Sequence, residues 1–488
     1  VFSPDMCRNH HRVRSVPMMV DGKCSPWYYY GYHNQAAPKK GRMAMKIRKA
    51  GAVILAALQE KQGGKLRSLL LSTAALLILT VAIVYAKEAP ATAQEVRGLW
   101  VVRTTLTSPV KIKEMVHRAK DANFNTLIVQ VRGRGDAYYR SRWEPRAEEL
   151  KDMPDTFDPL AQVIEEAHKE GLKVHAWINM GIASAASSRP SSPDHIVNRH
   201  PEWLMIHREL AVQLLKLSPK DPEYLRLLMK QMNQDNSEIE GLYSSYAIPE
   251  VKEHLYNIAM DVTEHYDVDG IHLDYIRYAG KMLDYNRVTL ERFRAEIDRS
   301  LGAGERKVFN SMVLTDPLLY TTAFPERWAQ FLPDQVTVGV ERIGAGVHAR
   351  KPAALFTAAV IADDETALSR CSQDWKLWLE RGLLDAVCPM AYTTDTEIYK
   401  RQVQRARSFS MGRQVWAGVG TYQMPAESAI EKIGVARSIG VDGVILFSYD
   451  ELIKTSAVNP RGDYFDVLKA RVFKEPSGLP PVRRLEGK

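Results

Sequence analysis

Eight short runs of strand-forming residues, each followed by a helical pattern, constrain this chain more than any other feature. The runs are Val96–Val102, Thr126–Arg132, Lys173–Asn179, Gly270–Tyr278, Ala354–Ile361, Ala386–Thr393, Gln414–Tyr422 and Asp442–Tyr449. Helical periodicity falls between them at Val110–Ala122, Pro159–Glu170, Val251–Tyr266, Arg287–Leu301, Cys371–Gly382, Thr396–Ser410 and Ala426–Ile439, with a last pattern near Tyr464–Phe473. Strands that alternate with helices build an α/β fold, and eight repeats predict a (β/α)8 TIM barrel. The rival is a doubly wound open sheet, but no glycine-rich phosphate loop follows the first run, so that sheet would lack a dinucleotide site. Two stretches break the spacing, at about 180–248 after the third run and about 302–352 before the fifth. Loops this long in a compact domain are functional or covering. The first leaves from the C-terminal ends of the strands and is expected to wall a substrate groove.

The net charge of +8 misleads as a guide to partners. Residues 1–67 carry 13 Lys and Arg against Asp5, Asp21 and Glu60, or +10. Of 66 bases and 58 acids, the remaining 421 residues therefore hold 53 and 55, or −2. Nothing in the barrel portion points to nucleic acid. Residues 1–64 read as an irregular arm, which can lie upstream of a start at Met43 or Met45. Residues 65–95 read as a signal peptide or membrane anchor with its linker. Lys65 and Arg67 precede the uncharged run Leu69–Val84, and small residues follow it. Uncleaved, that run would leave the bulk of the protein on the outer side of the membrane. Secretion, a periplasmic location or anchoring outside the cytoplasmic membrane is therefore expected. The barrel is expected over 96–473 and a flexible, proline-rich tail over 474–488. The four cysteines (7, 24, 371 and 388) have neither zinc-site spacing nor the density of a disulfide scaffold.

The chemistry is expected at one end of the barrel. In Asp269-Gly-Ile-His-Leu-Asp-Tyr-Ile-Arg-Tyr278, alternation sends His272 and Asp274 to one face and Ile271 and Leu273 to the other. Asp274 and Arg277 then fall at the C-terminal end of the fourth run, where parallel barrels do their chemistry. The bland alternative is a buried Asp–Arg pair that fixes local geometry. Other strand ends add Arg132, Asp136 and Tyr139 after the second run, Trp177 and Asn179 on the third, and Asp364 after the fifth. Tyr392, Tyr422 and Asp450 follow the sixth, seventh and eighth. Carboxylates among aromatic rings are what glycoside cleavage requires. One acid protonates the leaving oxygen, and a second carboxylate attacks, stabilises or activates water. Tyr and Trp faces stack on sugar rings, and Asn and Arg donate to hydroxyls. No His-x-His strand end, His-Glu-x-x-His or Gly-x-Ser-x-Gly occurs, so neither a metal, a cofactor nor a serine nucleophile is expected.

These residues carry a resemblance. Arg97-Gly-Leu-Trp100, Gln130-Val-Arg-Gly-Arg-Gly-Asp-Ala-Tyr-Tyr139, His175-Ala-Trp-Ile-Asn179, His200-Pro-Glu-Trp203, Ile248-Pro-Glu-Val251 and the 269–278 stretch occur in order from about Val96 to Tyr449. The chain resembles the glycosyl hydrolase-like family 10 domain, a group of secreted bacterial TIM-barrel proteins of which some cut peptidoglycan glycan strands. The resemblance implies glycosidase activity on an envelope polysaccharide and puts Arg132, Asp136, Asn179, Asp274, Arg277 and Tyr392 in the pocket. One departure is Tyr275, where many members carry a second Asp. Chitinase-type motifs have their acid where this chain has Ile276.

Catalytic carboxylates are thus expected among Asp274, Asp136, Asp364 and Asp450, and substrate contacts among Arg132, Tyr139, Trp177, Asn179, Tyr275, Arg277, Tyr392 and Tyr422. Against these stand a turn role for Asp136, helix-cap roles for Asp364 and Asp450, and top-layer packing for the aromatics. A catalytically inactive glycan-binding barrel and an anchored scaffold are the alternative functions.

Overall fold

The computed structural model describes residues 94–234, 240–482 and 484. The arm expected over 1–64 and the apolar run Leu69–Val84 lie outside the described residues. The strands are β1 (Val96–Val101), β2 (Thr126–Arg132), β3 (Lys173–Asn179), β4 (Ile182–Ser184), β5 (Leu242–Tyr243), β6 (Gly270–Asp274), β7 (Leu355–Ile361), β8 (Ala386–Met390), β9 (Gln414–Gly420) and β10 (Gly443–Phe447). Eight of them close a parallel barrel in the order β1-β10-β9-β8-β7-β6-β3-β2, as the alternating pattern predicts. β4 and β5 form a separate antiparallel ribbon within the excursion that follows β3.

Local chemistry sets the ends of the helices. Pro109–Asp121, Pro159–Lys169 and Pro249–His265 begin on proline, whose missing N–H costs nothing in a first turn. Asp158, Asp363, Asp374 and Asp395 cap the helices that follow them by accepting backbone N–H groups. Ala426–Ile439 stops at Gly440, which takes the left-handed conformation at φ 78°.

Strand alternation divides the apolar residues between two cores. Leu99, Leu127, Val129, Val174, Ile271, Leu273, Val387 and Val444 face outward and pack with the helices. Val96, Trp100, Ile128, Trp177, Cys388, Trp416 and Ile445 face inward and fill the barrel. Two histidines share that interior. Trp100 Nε1 donates to His272 Nε2 at 3.3 Å, and His272 Nδ1 meets Thr357 Oγ1 at 2.9 Å. Burial lowers His175 to about 4 and holds His272 well below its ordinary value, so both are neutral near pH 7. The barrel is a packed core rather than a channel.

Three regions differ from the pattern. The fourth strand stops at Asp274 because Tyr275 adopts φ 50°, which ends the extended backbone. The expected helix over 371–382 is two, Asp364–Cys371 and Trp375–Glu380, separated where Ser372 turns left-handed at φ 51°. The stretch before the fifth barrel strand is helical and includes Pro325–Arg350, with Pro333 in its interior. An interior proline costs roughly 3 kcal/mol. Burial of Trp328, Phe331, Leu332, Val336, Val340 and Ile343 outweighs it. The described part of the stretch after 473 is hydrogen-bonded to the barrel. Glu95 N donates to Gly478 O at 2.9 Å, and Arg484 Nε reaches Asp385 Oδ1 at 2.8 Å on the floor of the barrel.

Closure brings Gly443 opposite Val96, where an added Cβ would lie 2.5 Å from Val96 Cβ and 2.6 Å from Val96 O. Gly443→Ala is therefore expected to destabilise by about 1–3 kcal/mol. Gly434→Ala, on a helix with open space around its Cα, should stabilise by up to about 1 kcal/mol. Urea denaturation of the two variants beside the wild type measures both.

Candidate active site

Five of the residues expected at the site meet at the barrel mouth: Asp274, Tyr275, Arg277, Tyr392 and Tyr422. Asp274 is the last residue of β6, paired in register with Asn179 at the end of β3. Its Oδ1 receives the Tyr275 amide at 2.6 Å and Arg277 Nη1 at 3.3 Å. Only 5% of the residue is exposed. Burial raises the Asp274 carboxyl above its ordinary value and the charge of Glu240 adds to this, while Arg277 and the Tyr275 amide oppose it. Among the described residues, both donors to Asp274 engage the same oxygen.

Tyr275 explains how a buried carboxyl and an arginine are held together. Its left-handed backbone folds the chain back, so that the Arg277 guanidinium lies 4.4 Å from the Tyr275 ring centroid. A bulky residue at positive φ is strained, and the excursion after β3 holds it there. The Tyr275 carbonyl accepts from Gly181 N at 3.0 Å and from the Tyr246 hydroxyl at 2.6 Å. Gly181 makes this approach possible, since a Cβ there would lie 2.8 Å from the Tyr246 hydroxyl. The Tyr275 hydroxyl donates to Glu240 Oε2, at the base of the β4–β5 ribbon.

The opposite wall is aromatic. Tyr392 packs 6.2 Å from Trp100, 6.1 Å from Tyr422 and 5.4 Å from Phe447, measured between ring centroids. Tyr422 is 39% exposed. Burial raises the Tyr392 hydroxyl and the nearby Asp274 charge adds to it, so this wall and the carboxyl share one electrostatic environment.

Other expected residues stand elsewhere. Trp177 is inside the barrel, where its Nε1 donates to Asn179 Oδ1 at 2.7 Å, and Asn179 Nδ2 donates to Gly133 O at 3.0 Å. Both are buried, and Asn179 lies level with Asp274 at the strand ends. Arg132 is not open to a ligand: it forms a bidentate pair with Glu144 at 2.7 and 2.6 Å, with both side chains 0% exposed. Tyr139 is buried against Tyr266, 5.7 Å between centroids. Asp136 accepts the Arg134 amide at 2.8 Å, a turn contact. Burial raises its carboxyl, and the charges that act on it are those of Arg103, Glu149 and Glu144. Asp364 pairs with Arg405 between outer helices. Asp450 fastens β10 to the loop after β1 by accepting Val102 N at 3.0 Å and the Thr105 hydroxyl at 2.8 Å. The carboxylate beside Asp274 is Glu240, absent from the sequence-based candidates. Its partnership with Tyr275 spans 35 residues and has no local spacing signal. Phe447, the last residue of β10, is also part of the mouth, with the buried Trp100 packed against it at 6.0 Å between centroids. Among the described residues, no three His, Cys, Asp or Glu side chains converge as a metal cage.

A closed parallel barrel whose strand ends present a carboxyl, a guanidinium and aromatic rings is a TIM barrel with its candidate site at the C-terminal mouth. The fold is similar to the PgaB (BpsB) glycoside hydrolase domain from Bordetella bronchiseptica, with a TM-score of 0.50 and 12% identity over 77% of this chain and 99% of that one. It is similar also to the catalytic domain of β-amylase from Paenibacillus polymyxa, with a TM-score of 0.51 and 11% identity over 78% and 100%. The chain belongs to the Glycosyl hydrolase-like 10 family, whose model matches residues 95–235 and 229–433. Its relatives include glycosyl hydrolase YngK of Bacillus subtilis, 23% identical over 61% of this chain. Glycosyl hydrolase DigH of Escherichia coli K12 is 24% identical over 62% of it. The matched region spans 54% of YngK and 67% of DigH.

Burial would raise Glu144, but the charge of Arg132 and hydrogen bonds from His254 and Arg132 bring it to about 2. Glu144→Ala is expected to cost about 3–5 kcal/mol, because it leaves the Arg132 charge buried and unpaired. A carboxylate with a lowered pKa contributes its stability above the unfolded value of 4.5 and loses it as pH falls toward about 2. The wild type's advantage over the variant should therefore shrink across that window in denaturant titrations.

Proposed function

We propose that this protein is an exported glycoside hydrolase that cleaves a bacterial cell-envelope polysaccharide, with peptidoglycan glycan strands as its substrate. The observation that carries this reading is Asp274: a carboxyl at the C-terminal end of a barrel strand, biased by burial toward its protonated form and near Tyr392, which packs with Tyr422 and Phe447. A carboxyl biased toward its protonated form can give a proton to a departing sugar oxygen. The rings offer apolar faces of the sort that sugar rings stack upon. Arg277 orients Asp274 and can donate to hydroxyl or carboxylate groups of a glycan. Family membership implies a carbohydrate substrate. Export is supported by the apolar run Leu69–Val84 behind Lys65 and Arg67, and the barrel portion's near-neutral charge offers nothing to nucleic acid.

A second reading has two observations in its favour. The Arg277–Asp274 contact and the low exposure of Asp274 would equally suit a barrel that binds envelope glycan without cutting it.

Incubation with purified, peptide-free glycan strands should release reducing ends with the wild type and about 10²–10⁴-fold fewer with Asp274→Asn. Pull-down by insoluble glycan without release of reducing ends would favour the binding-only barrel. The Arg277 cation lowers Asp274 and opposes the effect of burial. A rate that needs protonated Asp274 falls as pH rises through its pKa, so Arg277→Gln should move that fall to higher pH in the kcat/KM profile.

A further inference from the structure

We propose that Glu240 is the second catalytic carboxylate of this mouth and acts as the base that activates water, with Tyr275 as its positioning residue. The proposal rests on the glycoside-hydrolase reading of Asp274 and names the partner that reading needs. Of the four carboxylates expected from the sequence, Asp136, Asp364 and Asp450 are engaged in a turn, an outer ion pair and a strand-to-loop fastening. Glu240 is different: it is exposed, it stands at the foot of the ribbon that begins at Leu242, and its Oε2 accepts from the Tyr275 hydroxyl. The residue that delivers this hydroxyl also donates its backbone amide to Asp274 Oδ1 at 2.6 Å. One residue therefore links both carboxyls, through its backbone amide to Asp274 and its hydroxyl to Glu240.

The environments of the two acids are opposed, as a division between acid and base requires. Asp274 is buried in the barrel wall, and Glu240 is solvated. The groups facing Asp274 are Arg277 on its own segment, Glu240 and Tyr243 from the excursion, Tyr275 beside it, and Cys388 and Tyr392 from β8 and the loop after it. The charge of Glu240 favours the proton on Asp274.

The Asp274 proton passes to the glycosidic oxygen as the bond from that oxygen to the anomeric carbon breaks. The oxygen of a water forms the new bond to that carbon from the opposite face, and its proton passes to Glu240 Oε1, while Oε2 stays on the Tyr275 hydroxyl. Proton exchange with solvent then restores both groups. Attack by water from the opposite face inverts the anomeric centre.

Four variants of the full chain test this on peptide-free glycan strands and on an aryl glycoside of the same sugar. Glu240→Gln should lower kcat by about 10²–10⁴-fold on both substrates with little change in KM. Asp274→Asn should lose far less on the aryl glycoside, whose leaving group departs without a proton. Tyr275→Phe should lower kcat and keep KM, and Glu240→Asp should recover part of what Gln loses. In Glu240→Gln the fall of residual activity with rising pH should move to lower pH, because the charge that favours protonated Asp274 is gone. NMR of the first product should show the inverted anomer. Full activity of Glu240→Gln beside an inactive Asp274→Asn overturns the Glu240 assignment and leaves the glycosidase reading standing. A retained anomer overturns the role as base. A wild type that releases no reducing ends from either substrate overturns both.

Discussion

Closure of the barrel is the constraint on which the rest of this structure depends. β10 must pair with β1 from Val96↔Gly443 to Trp100↔Phe447, at a seam where backbone and side chain already touch. Only a residue without a side chain fits opposite Val96, and the ring of strands meets there. Once it is closed, Trp100, Trp177 and Trp416 have one place to go, and their packing sets the radius at which the strand ends stand apart. Trp100 also spans the interior to His272, so the seam and the strand that carries Asp274 are coupled by a direct contact.

The mouth is assembled from two sources with different mechanical character. The aromatic wall rises directly from β8, β9 and β10 and inherits the rigidity of the barrel. The Tyr275–Arg277 side is held by the excursion after β3, through Gly181 and Tyr246 on the Tyr275 carbonyl. That division suits a site that keeps a fixed platform for a ring while another element brings polar groups to it. Tyr275 touches both carboxyls of the mouth, through its backbone amide to Asp274 and its hydroxyl to Glu240.

How much was legible in the sequence follows from the range of the forces involved. Strands buried on both faces and helices started by proline or aspartate are decided locally, and the bounds of β2 and β3 and of the helix Ala426–Ile439 fall where the pattern puts them. Pro325–Arg350 was hidden because its proline argues against a helix, and only the burial of Trp328, Phe331 and Val336 overrides that signal. Asp274 and Arg277 were visible as charges on an interior strand. Arg132 gave the same signal and meant something else, since its partner Glu144 neutralises it out of solvent. A strand-end charge alone does not distinguish a site from a buried pair. Glu240 could not be found at all from spacing, because the turn at Tyr275 that makes it a neighbour of Asp274 is a backbone state rather than a residue pattern.

Gln94 bridges to Gly478, and Arg484 clamps Asp385, so both ends of the barrel chain leave from its floor. A linker attached at Gln94 or at Gly478 would therefore pull on the barrel from the face that carries none of the mouth residues, and leave Asp274 and the aromatic rings turned to the polymer.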